Sequence, residues 1–178
     1  MNNDVNLDFE ENDMDSKSDK KIFIEDSEAE FLTKMPKKLG NCKTEYLIED
    51  YKNIRHKIPL ISTDGKRDFM LDINKSKINL IQCTLQNRVY TNIVLVRLDI
   101  VDKNRTHLNR DRENIIKGSH VHIYKKDGKN YNQAYLLKDF FKEDIDESDI
   151  ELLLKKFYDY CNIIEKPNIV INREKGLI

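Results

Sequence analysis

The sequence predicts an α+β fold: an antiparallel sheet of five to six strands, a C-terminal helix packed on one face, and a short N-terminal helix. Three observations predict it. Ile150, Leu153, Leu154, Phe157 and Cys161 recur at helical spacing behind the capping-box pattern Ser148-Asp149-Ile150-Glu151. Residues 58–137 instead hold short apolar or alternating runs separated by polar turns, the signature of paired strands. Two of those turns carry Asp-Gly, at 64–65 and 127–128, where glycine accepts the positive φ of a tight hairpin.

Residues 1–26 are expected to be a disordered acidic tail, and residues 27–178 a single domain. The first 22 residues are too poor in apolar side chains to offset the entropy of ordering them. Ser27-Glu28-Ala29-Glu30 then reads as a capping box. Phe31, Leu32 and Met35 follow on one helical face, and Pro36 stops the helix. Ile58–Ser62 is the first strand expected. Arg67–Ile73 alternates, with Phe69, Leu71 and Ile73 on one face. Ile78–Leu85 is the next strand, and residues 86–92 read as a polar turn. Thr91–Val101 is the most apolar run, as a central strand requires. Residues 102–118 show no clear period and read as a long basic loop. His120–Tyr124 and Tyr131–Leu137 complete the sheet, and Pro167 prevents extension of the last helix.

The chain has 178 residues with a formal net charge of −1, and that near-neutrality hides an asymmetry. Residues 1–30 carry 11 acids against 3 lysines, a net of −8; residues 31–178 carry 21 acids against 28 bases, a net of +7. An acidic arm on a basic body suits competition with a polyanion, a basic partner, or simple solubilisation. Cys42, Cys83 and Cys161 are odd in number and widely spaced, which fits reduced thiols and a cytoplasmic location better than a disulfide framework or a zinc ribbon. No apolar stretch has membrane-spanning length, and no partner membrane is expected. Phosphate-loop, dinucleotide-binding, nucleophile-elbow and H-E-x-x-H patterns are lacking. No cofactor is assigned.

Two features point toward chemistry. His120 and His122 form H-x-H in a strand, so alternation puts them and Tyr124 on one face, turned to water or a cleft. In the preceding strand Arg97 and Asp99 share a face and interrupt an apolar run, a placement that is costly unless the charges are paired or serve a site. With His107 in the connecting segment, such a set suits acid–base cleavage of RNA, Arg97 stabilising the phosphorane charge. His107, His120 and His122 with Asp99 are also a conceivable divalent-metal set, although no metal is assigned. An exposed strand face without chemistry fits the same pattern. The second feature is charge: residues 103–129 hold eight Lys and Arg against three acids. Lys103, Arg105, Arg110, Arg112, Lys117, Lys125 and Lys126, with Arg88 from the preceding turn and Tyr124 for base stacking, are the expected contacts to a nucleic acid, RNA favoured, or to a host nucleoprotein.

The blocks Asp64-Gly65-Lys66-Arg67-Asp68-Phe69-Met70-Leu71-Asp72-Ile73, Thr84-Leu85-Gln86-Asn87-Arg88, Val94-Leu95-Val96-Arg97-Leu98-Asp99-Ile100, His120-Val121-His122-Ile123-Tyr124 and Tyr160-Cys161-Asn162-Ile163 resemble a family of short bacterial and prophage proteins of unknown function over roughly residues 27–170. The resemblance implies a bacterial or mobile-element setting, and a histidine-bearing loop with an H-x-H-x-Y strand that match His107, His120, His122 and Tyr124. The leading expectation is a phage-type accessory protein that binds nucleic acid or nucleoprotein and inhibits a nucleic-acid-targeting host defence. A metal-independent RNase or toxin using His107, His120, His122 and Arg97 is the alternative. An interaction module acting through the acidic tail is the third.

Overall fold

A computed structural model describes residues 23–49, 52–76, 82–109, 114–126 and 132–172. The expected tail at 1–22, the Asp127-Gly128 turn, Tyr131 and the first residues of the expected Ile78–Leu85 strand lie outside them. In chain order the elements are α1 (Asp26–Lys34), β1 (Lys37–Leu39), β2 (Glu45–Glu49), β3 (Ile54–Ser62), β4 (Asp68–Lys75), β5 (Cys83–Val89), β6 (Ile93–Ile100), β7 (Thr106–Leu108), β8 (Ile115–Lys117), β9 (His120–Tyr124), β10 (Asn132–Leu136), α2 (Leu137–Phe141), α3 (Ile150–Tyr160) and β11 (Asn168–Asn172).

The main sheet is antiparallel throughout, in the order β1-β3-β4-β5-β6-β9-β10. Its seven strands exceed the five to six expected, because β1 is short and lysine-rich and leaves no alternating signature. Two small ribbons accompany it: β2 with β11, in parallel, and the hairpin β7–β8. That hairpin corrects the expectation of an irregular loop at 102–118.

One face of the sheet is the core. Ile73, Leu85, Leu98 and Val121 lie side by side on β4, β5, β6 and β9, all buried. Leu153, Leu154, Phe157 and Tyr158 of α3 join the same cluster, with Ala29 and Leu32 of α1. Capping differs from the expected boxes. At α3 it is Asp149, not Ser148, whose side chain accepts from Leu152 N–H. At α1 the first residue outside the helix is Glu25, and Ser27 caps nothing.

Strand β5 runs on through residues expected to be a turn. Gln86, Asn87, Arg88 and Val89 are paired with β4, and the reversal comes at Tyr90 and Thr91, both with positive φ. Asn87 breaks the alternation because this polar residue points into the core, where it is fully buried.

Candidate active site

The second face of the sheet is polar, and register aligns it into two rows. Asp72, Gln86, Arg97 and His122 are consecutive partners across β4, β5, β6 and β9. Asn74, Thr84, Asp99 and His120 form the row beside it. The first row continues to Lys57 on β3 and the second to Arg55, both exposed. Antiparallel pairing therefore sets the Arg97–Asp99 pair directly beside the H-x-H pair.

Asp99 is the hub. Its Oδ1 accepts from Thr84 Oγ1 at 3.0 Å. Its Oδ2 lies 3.0 Å from Arg97 Nε and 2.9 Å from Arg97 Nη2. The same oxygen is 3.2 Å from His122 Nε2 and 3.6 Å from His120 Nε2. Arg97 Nη2 also reaches His122 Nε2 at 2.8 Å. Arginine only donates and a carboxylate only accepts, so this one nitrogen meets Arg97 as a lone pair or Asp99 as an N–H, and not both at once. Burial, helped by Arg97, holds the His122 pKa below its usual value even though Asp99 pulls the other way. At Asp99 burial raises the carboxyl, but His122, Arg97 and Thr84 together more than reverse it and leave it at about 2.

The face is roofed by the β7–β8 hairpin. His107 on β7 stacks on His120 with ring centroids 4.8 Å apart and meets His122 edge-on at 4.7 Å. Under it His120 and His122 are only 4% and 2% exposed, although alternation alone predicts an open face. His107 is half-buried, and its pKa is lowered by burial and by the neighbouring His122 and His120. His120 is oriented from below: its Nδ1 is 2.8 Å from Gly118 O, so Nδ1 carries the proton and Nε2 faces the cluster. Gly118 itself has φ +86, a conformation glycine adopts without strain.

A cavity of about 440 Å³ opens here, lined by Asn74, Thr84, Gln86, Arg97, Asp99, Arg105, Thr106, His107 and His120 among others. A second hollow of about 320 Å³ shares Asn74, Thr84, Val101 and Arg105 with it and reaches Arg55. A larger cavity, about 550 Å³, lies beside α1, walled by Tyr135, Phe140, Tyr160, Glu30 and Lys34 among others; it holds no histidine.

The sequence-predicted residues thus divide. His107, His120, His122, Arg97 and Asp99 are brought together. Lys103, Arg105 and Lys117 are exposed around one end of the hairpin, where Thr106 pairs with Lys117 and Gly118 N–H donates to Arg105 O. Arg110 and Arg112 lie outside the described residues. Two assignments need correction, and two further residues keep their exposure but already hold surface ion pairs. Tyr124 is buried with its hydroxyl bonded to the backbone of Ile24, where it cannot stack on a base. Arg88 is held against Asp72 at 2.6 Å and reaches Thr91 O. Lys125 pairs with Asp26 at 3.6 Å, and Lys126 pairs with Glu25. Part of the acidic arm's charge is therefore spent on the body's own lysines. Arg55, Lys57, Thr84, Gln86 and Asn74 were missed. They carry no motif, and only the register reveals that they share the face.

These features define an α+β protein with a buried histidine–arginine–aspartate cluster under a β-hairpin. The model of a family of unknown function, DUF6978, matches residues 24–163, and the chain belongs to that family. No curated protein and no solved structure matches it. No helix among the described residues is long and apolar enough to cross a membrane.

Proposed function

We propose that this protein acts on a nucleic-acid phosphodiester, RNA by preference, in the pocket under the β7–β8 hairpin. The observation that supports it is the convergence of His107 and His120 with Arg97 in one polar cavity, beside exposed Lys103, Arg105 and Lys117. Phosphate oxygens take charge-assisted hydrogen bonds from Arg97 and Arg105. The hollow toward Arg55 extends the track from β6 to β3, three strand spacings or roughly 14 Å.

The reaction that suits the groups is metal-independent transesterification. Neutral His107 takes the proton of a ribose 2′-hydroxyl as that oxygen bonds to phosphorus. The bond from phosphorus to the 5′-oxygen breaks, and His120, which must enter this step as the imidazolium with Nδ1–H kept on Gly118 O and a second proton on Nε2, delivers the Nε2 proton to the leaving oxygen. Arg97 offsets the charge that builds on the phosphorane. His122 and Asp99 position Arg97 and His120.

The test is RNA cleavage by the purified chain in excess chelator. Cleavage by the wild type, with His107→Ala and His120→Ala each lowering the rate on the order of 10²-fold or more, supports the reading. Intact RNA together with no salt-sensitive RNA binding overturns it. Binding without cleavage points instead to a phage- or mobile-element-type accessory protein acting in the cytoplasm, in which the same basic rim occupies the nucleic acid or nucleoprotein of a host defence system. The exposed Lys103, Arg105 and Lys117 favour that second reading as well.

A further inference from the structure

We infer that His107, His120, His122 and Asp99 form a binding site for a divalent transition-metal ion of the class that prefers imidazole, such as zinc. One nitrogen from each histidine can be chosen so that all three lie within 4.8 Å of one another. Asp99 Oδ2 stands 3.2 Å from His122 Nε2 and 3.6 Å from His120 Nε2. Ligands at about 2.0–2.1 Å around a tetrahedral ion are separated by about 3.3 Å, so these two edges fit already. His107 closes the remainder, and its short two-stranded hairpin leaves it the freest of the four to adjust.

The surroundings match a metal site in a further respect. His120 donates Nδ1–H to Gly118 O, the kind of outer partner that fixes the ring and aims Nε2 at an ion. The cation now on Asp99 Oδ2 and His122 Nε2 is Arg97 Nη2, at 2.9 and 2.8 Å. It takes the place an ion would occupy. The Arg97 side chain is 33% exposed and can swing into the cavity, whereas the histidines beneath cannot move out. Metal and guanidinium therefore compete for the same oxygen and the same lone pair.

This competition separates the metal site from the phosphodiester reading, which requires Arg97 and the free nitrogens of His107 and His120, so a bound ion would block that chemistry. The experiment is zinc binding by the full chain, followed by competition with a chromophoric chelator. Cobalt(II) substitution supplies a visible spectrum of tetrahedral coordination. One ion per chain is expected, weakened at least tenfold by His107→Ala and abolished by the double variant H120A/H122A. Arg97→Ala is expected to bind at least as tightly as the wild type. Because H107A alters only the half-exposed hairpin ring, it reports even if the double variant misfolds. No stoichiometric binding, binding unaffected by H107A, or tenfold weaker binding by R97A would each overturn the inference. None of these results depends on whether RNA is cleaved.

Discussion

The acid sensitivity of this fold is set by a few side chains on the polar face. His107 and His122 are held below the usual value of 6.5. As pH falls through 6.5, the unfolded chain takes up protons there that the folded chain refuses, so stability drops. Asp99, held at about 2 against the usual 3.8, adds stability that is present above 3.8 and fades as pH falls toward 2. Both effects have the same sign on acidification, but the histidines act first. Urea denaturation at stepped pH should show stability falling below pH 6.5, and a His107→Gln/His122→Gln variant should show a flatter curve between 6.5 and 5. An unchanged curve would contradict the neutral-imidazole assignment. At this scale much of the site was legible. Arg97 and Asp99 stand out because charges inside an apolar strand demand partners, and H-x-H in a strand must share a face. The burial of the two histidines was not legible, since it depends on the hairpin that covers them. Tyr124 was read as accessible because the segment that covers it, bonded to its hydroxyl at Ile24, lies a hundred residues away in sequence.

Among the elements, the junction of α1, β1 and α3 turns on one lysine. Lys37 is fully buried, and its ammonium lies 2.8–2.9 Å from Leu32 O, Thr33 O, Met35 O and Cys161 O, four acceptors that share its three N–H donors. It also lies 4.6 Å from the centre of the Phe69 ring. Three of those carbonyls end α1 and the fourth ends α3, so one cation closes the C-terminal ends of two helices. Desolvation lowers its pKa to about 8, yet the four acceptors keep it in place. Replacing Lys37 with Met keeps much of the volume but strips carbonyls buried in the core of their donor. The expected loss is roughly 2–4 kcal/mol, read as a lower urea midpoint at unchanged slope. A loss under about 0.5 kcal/mol would show that water replaces the ammonium. Nothing in the sequence flags this: a lysine in a Lys-Lys-Leu stretch reads as surface. The β4–β5–β6 segment shows the complementary case. Arg88 and Gln86 look like turn residues until Asp72 and Arg97 are seen as their neighbours on the polar face. The Tyr90-Thr91 reversal lacks the Asn or Gly that announces most turns of positive φ.

For the whole molecule, the sheet separates two tasks. One face, under α1 and α3, supplies the core; the other is a polar sheet surface, roofed at one end by a hairpin inserted between β6 and β9. The class of the fold was legible from periodicity and turns. The order of its strands was not, because the β6–β9 connection is 19 residues long and a parallel β2–β11 pair joins segments more than a hundred residues apart. The β6–β9 pairing also sets the histidines in the rows that begin at Arg55 and Lys57. The central claim, that this face engages a phosphodiester chain at the histidine cluster, is tested most directly by the ring resonances of 15N-labelled histidines during titration with a short RNA in chelator. His56, on β3 and bonded to Leu47 O, is the internal control. Saturable shifts are predicted for His107, His120 and His122 and not for His56, with affinity falling as salt rises. Rings that stay unmoved at saturating RNA, or a shift confined to His56, would contradict the account.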